Sequence, residues 1–106
     1  MRILFDQGTP APLRQFLPDH EVTTVFEQGW STLENGDLLS AAEEAGFHIF
    51  VTTDMNLKYQ QNLASRAISI VVLSTTSWPR IRVSTDLVVR AVDAVKPKSY
   101  SEVQIP

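Results

Sequence analysis

Three short, almost purely apolar segments constrain the fold of this chain most strongly. They lie at residues 2–5, 47–51 and 68–73. None of them alternates apolar with polar residues, as a strand with one solvated face would. Strands buried on both faces occur mainly in parallel sheets that helices cover on each side. The segments therefore predict parallel strands at the centre of a sheet.

The rest of the chain supplies helical patterns between these strands. Helices are predicted over residues 10–17, 37–45, 56–64 and 82–95, and two further strands over residues 22–26 and 102–105. Thr9 is the predicted N-cap of the first helix, with Pro10 in its first turn. The order βαβαβαβαβ predicts a three-layer α/β/α fold with a central, mainly parallel sheet, in a single domain of residues 1–106.

Composition excludes several classes of protein. The 106 residues include no cysteine, which excludes a disulfide scaffold, a cysteine nucleophile and metal sites made of thiolates. No apolar run is long enough to span a membrane, and the N-terminus is too short and too soon acidic for a signal peptide, so we expect a cytoplasmic protein. The net charge of -3 argues against coating nucleic acid by bulk charge. It leaves room for a nuclease whose metal ions supply positive charge.

Three carboxylates are predicted to meet at one edge of the sheet. Asp6 ends the first strand, Asp54 follows the third, and Asp37 begins the helix between them. Carboxyl ends of parallel strands and the N-termini of the helices that follow share one edge. Each aspartate alone is also explained by helix capping or a turn. Three together favour a bound cation, and hard oxygen ligands favour Mg²⁺ or Mn²⁺ over Zn²⁺.

The same acids lie in three stretches that share a pattern with a known family. These are Leu4–Asp6, Asn35–Leu39 with Ala41-Ala42 behind it, and Phe50–Asp54. Together they resemble the short PIN-like domains related to the Mut7-C domain and to VapC-type toxins. The resemblance covers residues 1 to about 75 and implies a PIN-like fold with a Mg²⁺- or Mn²⁺-dependent ribonuclease site.

The resemblance also implies roles for individual residues. The family's acidic positions correspond to Asp6, Asp37 and Asp54, as metal ligands and catalytic residues. Thr52 and Thr53 correspond to the threonine before the third acid, where they would orient ligands or phosphate. Relatives of this type cleave RNA as the toxin of a toxin–antitoxin pair. The expected partner is therefore a small antitoxin protein or a second copy of this chain.

Two departures from the family pattern remove negative charge. Asn56 occupies a position where relatives often have a further acid, and Gln7-Gly8 replaces a common Glu-Asn. The site is therefore expected to hold fewer metal ions, or to hold them more weakly. Asn56 retains a carbonyl oxygen that can act as a ligand. Asn56 and Lys58 are predicted, with the two threonines, to contact the substrate.

Two other functions remain open at this stage. A phospho-acceptor receiver domain would use Asp54 and the late Lys96-Pro97, although receivers carry paired acids after the first strand. A binding module that has kept the fold without its activity would account for Asn56. Association is predicted through Trp30, Trp78 and the C-terminal tail, which offer apolar contacts.

Overall fold

A five-stranded, entirely parallel sheet forms the centre of the protein. The computed structural model describes all residues, 1–106. The strands are β1 (Arg2–Phe5), β2 (Glu21–Thr24), β3 (Ile49–Thr52), β4 (Ser69–Leu73) and β5 (Tyr100–Val103). They lie in the order β2-β1-β3-β4-β5. The three apolar segments therefore form the parallel central strands that the sequence predicts.

Both faces of the sheet are buried, which makes the protein a three-layer α/β/α structure. Successive side chains of a strand point to opposite faces. Ile3 and Phe5 of β1 belong to one apolar core, and Leu4 between them belongs to the other. In β3 and β4 every residue is buried. This two-sided burial is the physical reason why these segments lack polar alternation.

Four α-helices and two short 3₁₀ helices cover the sheet. The α-helices are α1 (Asn35–Glu44), α2 (Leu57–Gln60), α3 (Trp78–Arg82) and α4 (Thr85–Asp93), and the 3₁₀ helices are Ala11–Phe16 and Leu63–Ser65. The first 3₁₀ helix, α3 and α4 pack on the face of Ile3 and Phe5. Helices α1 and α2 pack on the opposite face. No helix is long and apolar enough to cross a membrane.

The segment after β1 differs from the prediction because Thr9 has another partner. Its hydroxyl donates to the Val51 carbonyl at 2.9 Å instead of capping a helix. The residue before the helix is Pro10, and no side chain caps the first turn. The segment forms a 3₁₀ helix rather than an α-helix, held by the buried Leu13.

Three other predicted boundaries are also corrected. Residues 56–64 form one α-helical turn and a 3₁₀ turn, because Leu57 is their only fully buried side chain. The second strand ends at Thr24 instead of residue 26, where a turn begins. The helix predicted over residues 82–95 is α4, which spans residues 85–93, and a separate short helix, α3, precedes it over residues 78–82. Ser77 caps α3 by accepting the Arg80 N–H.

Candidate functional site

The candidate site lies at the point in the sheet where successive strands change from one side of β1 to the other. From β1 the chain passes to β2 on one side, then to β3 on the other side of β1. In open parallel sheets ligands bind at such a switch point, outside the carboxyl ends of the strands. Asp6 follows β1 directly, Thr52 ends β3, and Asp54 follows two residues later.

One buried hydroxyl joins the two aspartates. Thr52 is fully buried, and its Oγ1 donates to Asp6 Oδ2 at 2.7 Å. The same oxygen accepts the Asp54 backbone N–H at 3.1 Å. A hydroxyl has one proton to donate, so the direction of the chain of hydrogen bonds is set from Asp54 through Thr52 to Asp6. Thr52 therefore orients the acids and, being buried, is not placed to contact a substrate.

Backbone contacts hold the Asp6 carboxylate in place. Its Oδ1 accepts the Gln7 N–H at 2.9 Å. Its own N–H donates to the Val51 carbonyl at 2.9 Å, which continues the β1–β3 ladder by one residue. Each carboxylate oxygen still has a second lone pair to offer.

The Asp54 carboxylate is held by residues at the starts of both neighbouring helices. Its Oδ1 accepts the Asn56 N–H at 2.9 Å, and its Oδ2 accepts Asn35 Nδ2 at 3.3 Å. Asn35 is the first residue of α1, and the same Nδ2 donates to Gln60 Oε1 of α2 at 3.1 Å. Asn35 thus connects Asp54 to the starting turn of α1.

No cationic side chain neutralises either aspartate. The six ion pairs of the structure all involve other residues. Every donor to Asp6 and Asp54 is a neutral hydroxyl, amide or backbone N–H. Carboxylate oxygens with free lone pairs are the ligands that Mg²⁺ and Mn²⁺ prefer. The carboxylate oxygens of Asp6 and Asp54 are therefore of the kind that binds such an ion.

The third predicted acid lies apart from these hydrogen bonds. Asp37 is exposed in the first turn of α1 and shares no hydrogen-bond partner with Asp6 or Asp54. No three His, Cys, Asp or Glu side chains form a group that could hold a metal ion. The structure thus brings Asp6 and Asp54 to one threonine and does not bring Asp37 to it.

The remaining predicted substrate residues lie around Asp54. Thr53 is half-buried beside Gly8, so close that a Cβ on Gly8 would overlap Thr53 Oγ1. This packing explains why a glycine follows Gln7. Asn56 is exposed and contacts Asp54 through its backbone N–H.

Lys58 is engaged with the edge strand of the sheet. Its Nζ lies 2.8 Å from Glu102 Oε2, which also accepts the Tyr100 hydroxyl at 2.6 Å. The hydrogen bond with Glu102 raises the pKa of Lys58 above its ordinary value. The bonds from Lys58 and Tyr100 lower the pKa of Glu102. Burial, then the bond to Glu102, raises the pKa of Tyr100.

Two concave surfaces flank the pair of aspartates. The larger, which we call the Asp6 cleft, has a volume of about 770 Å³ and is lined by residues that include Asp6, Gly8, Arg14, Phe26, Thr76 and Trp78. The smaller, the Asn35 recess, has about 350 Å³ and is lined by Glu34, Asn35, Gly36, Gln60 and Gln61. A third cavity of about 500 Å³ opens at the amino-terminal edge, among Met1, Phe47 and His48.

The residues proposed for association pack within the chain. Trp30 lies edge-on against Phe47, and Trp78 lies against Phe16, each with ring centroids 6.1 Å apart. In the C-terminal tail Ile105 is buried, and Arg80 donates to its carbonyl at 2.8 Å. These contacts account for both tryptophans and the tail without a second chain, and a partner stays a prediction.

The geometry does not favour a receiver domain. The Lys96 carbonyl accepts the Ser69 hydroxyl at 2.7 Å. Ser69 begins β4, so the Lys96 backbone lies at the amino-terminal edge of the sheet. Asp54 lies at the opposite edge, after β3.

Sequence reasoning missed two residues of this region, Asn35 and Phe26. Asn35 precedes the helix predicted from residue 37, and its position ahead of a predicted acid is the only signal in the sequence. Phe26 was assigned to a strand. Its place directly before Glu27-Gln28-Gly29, where the apolar pattern stops, was the available hint.

In comparisons with known proteins, no protein-family model matches the chain, and no curated protein or solved structure matches it significantly.

Proposed function

We propose that this protein is a metal-dependent endoribonuclease, the cytoplasmic toxin of a toxin–antitoxin pair with a small antitoxin as its partner. The observation that supports the activity most directly is the hydroxyl of Thr52, which joins Asp6 and the Asp54 loop at the switch point of the sheet. The toxin assignment rests on the resemblance of the sequence to PIN-like domains.

The electrostatics of the two aspartates support a bound cation. Nearby carboxylates disfavour each other's ionised form unless a positive charge lies between them. Asp6 and Asp54 have no cationic partner in the chain. Thr52, Asn35 and two backbone N–H groups donate to the carboxylates, and none of these donors carries a positive charge.

In this proposal the chain supplies ligands and orientation. Asp6 and Asp54 would hold Mg²⁺ or Mn²⁺, and the bound ion would lower the pKa of water and stabilise the developing charge of a phosphodiester. Thr52 fixes the Asp6 carboxylate, and Asn35 fixes that of Asp54. Water is the nucleophile, so no side chain forms a bond to phosphorus. Asp37 is exposed in the first turn of α1, and a substitution there tests whether a third carboxylate takes part.

The first experiment measures thermal unfolding with and without Mn²⁺. A ligand present at 100 times its Kd stabilises the folded state by about 2.7 kcal/mol. We expect Mn²⁺ to raise the melting temperature of the wild type and to have little effect on Asp6→Asn and Asp54→Asn. Asp19→Asn is the matched control, because Asp19 is exposed and makes no hydrogen bond. It should respond to Mn²⁺ like the wild type.

The second experiment measures cleavage of a mixed RNA with Mn²⁺ or with EDTA. The wild type and Asp19→Asn should cleave only with Mn²⁺, and Asp6→Asn and Asp54→Asn should not. Asp37→Asn decides whether the third acid takes part. The proposal is wrong if Asp54→Asn cleaves RNA normally, or if wild-type protein neither cleaves RNA nor is stabilised by Mn²⁺. Stabilisation by Mn²⁺ without cleavage would favour a binding module that has lost activity.

A further inference from the structure

Phe26 is displayed to solvent although it is large and apolar. Its exposed fraction is 80%, the highest among the large exposed hydrophobic residues. Its neighbour Val25 is 2% exposed and belongs to the core on the α1 side. Val25 thus anchors the chain one residue before Phe26, and the phenyl ring extends outward from a fixed point.

The turn that carries Phe26 is locked by reciprocal hydrogen bonds. The Thr24 N–H donates to Glu27 Oε1 at 2.9 Å, and the Glu27 N–H donates to Thr24 Oγ1 at 3.1 Å. Arg14 Nη1 contacts both Glu27 oxygens, at 2.9 and 3.2 Å. The Thr24 N–H and then Arg14 lower the pKa of Glu27, so the carboxylate stays charged in this turn. A ring held on a rigid turn loses little conformational entropy when it binds a flat ligand.

Phe26 and Asp6 line the same concave surface. Both belong to the Asp6 cleft, with Trp78 as a further aromatic member. Arg14 also lines this cleft, and only its Nη1 has protein acceptors, namely Glu27 and the Val22 carbonyl. Its Nε and Nη2 donate to no protein atom. The cleft thus combines an aromatic face, unused guanidinium donors and the carboxylate of the proposed site.

We propose that the Asp6 cleft binds an unpaired nucleobase of single-stranded RNA, stacked on Phe26, next to the phosphate presented to Asp6. This inference rests on the proposed function for its choice of RNA, and it adds the side chain that holds a base of the substrate. The face of a base in a duplex is covered by its neighbours, so only an unpaired base can stack on a protein ring.

The charges of the cleft favour the base over a cluster of phosphates as the main contact. Asp6 and Glu27 are carboxylates, and Arg14 is the cation that lies with them. The whole chain has a net charge of -3. Salt dependence of nucleic-acid binding scales with the number of phosphates neutralised. Binding carried by stacking should therefore depend only weakly on salt.

The test measures binding of a short fluorescent oligoadenylate by anisotropy, in EDTA so that no cleavage occurs. Stacking on an aromatic side chain is a substantial part of single-strand affinity, and we expect Phe26→Ala to weaken binding by about tenfold. Phe26→Leu keeps the apolar area but lacks the ring, and it should bind as weakly as Phe26→Ala. Phe26→Trp keeps an aromatic ring and should bind as tightly as the wild type. Val83→Ala is the control, because Val83 is 76% exposed and lies outside all three cavities.

Several outcomes would overturn the inference. They are wild-type protein that binds no oligoadenylate, binding to a base-paired duplex as tight as to the single strand, and a Phe26→Leu variant that binds like the wild type. If Phe26→Leu binds RNA like the wild type and the surface around Phe26 captures a protein, Phe26 belongs to a protein interface. Melting temperatures of the variants should equal that of the wild type, because the ring packs on no core.

Failure of this inference and failure of the proposed function can be told apart. Loss of RNA binding in Phe26→Ala together with an inactive wild type would support the stacking site and contradict the nuclease. Mn²⁺-dependent cleavage of single-stranded RNA that is unchanged in Phe26→Ala would support the nuclease and contradict the stacking site.

Discussion

Replacement of Thr52 by valine tests whether a hydroxyl or apolar burial determines this position. The two side chains have nearly the same shape, and Thr52 is fully buried at the end of a central strand. Valine cannot donate to Asp6 Oδ2 or accept the Asp54 N–H. The substitution therefore removes the connection between the two aspartates while preserving packing.

The expected cost follows from the two hydrogen bonds. A bond to a charged group contributes about 1.5–3 kcal/mol, and we take about 2 because Asp6 is half-exposed and water replaces part of it. Loss of the acceptor for the Asp54 N–H adds about 1 kcal/mol. The added apolar group returns about 0.8 kcal/mol. The net destabilisation is about 2 kcal/mol, which lowers the melting temperature of a domain of this size by about 8 °C.

The assay is urea unfolding and calorimetry of wild type, Thr52→Val and Thr52→Ser at neutral pH. Serine keeps the hydroxyl and loses one methyl group, which costs about 1 kcal/mol. Thr52→Val should therefore be the less stable variant, although it is the more apolar. If Thr52→Val is as stable as the wild type, or more stable than Thr52→Ser, burial determines this position and the reasoning about the bridging hydroxyl is wrong.

Two further predictions concern other parts of the fold. Gly8→Ala should destabilise the protein by about 1–3 kcal/mol in urea unfolding, since its Cβ would overlap Thr53 Oγ1, and Thr53→Ala should relieve much of that cost. Burial alone would raise the pKa of Glu43, but the bonds from Arg66 and the Ala67 N–H outweigh it and the pKa lies below its usual value. Glu43 thus stabilises the fold above pH about 4.5, and this contribution is lost as the pH falls through its lowered pKa. Melting curves from pH 7 to 3 should show a smaller acid-induced loss in Glu43→Gln, and equal losses in both proteins would contradict this account.

The central strands were predictable because their environment imposes a local pattern. A strand covered on both faces is apolar along most of its length, and in β4 this holds for residues 70–73. The parallel arrangement and the positions of Asp6 and Asp54 at one edge follow from that pattern and the alternation with helices. These inferences need only the sequence within each segment.

The short helices were less predictable because distant contacts shape them. Thr9 is of a residue type that favours the N-cap position, yet its hydroxyl donates to the Val51 carbonyl, 42 residues away in sequence. The strand that includes Thr24 stops where Glu27 closes a turn with the help of Arg14. Arg14 likewise lies 13 residues from Glu27, so neither contact is visible in the local sequence.

The sequence by itself determined the layer architecture, the parallel central strands and the edge of the sheet at which Asp6 and Asp54 lie. Only the tertiary structure decided which groups meet there. It placed the hydroxyl of Thr52 between Asp6 and the Asp54 N–H, left Asp37 outside that hydrogen-bond chain, and put Phe26 in the cleft of Asp6. The burial of each strand can be predicted from its own residues, because each strand packs against an apolar layer independently. A hydrogen bond between two strand ends depends on the register of β1 against β3, which is set by pairs of residues 46 positions apart.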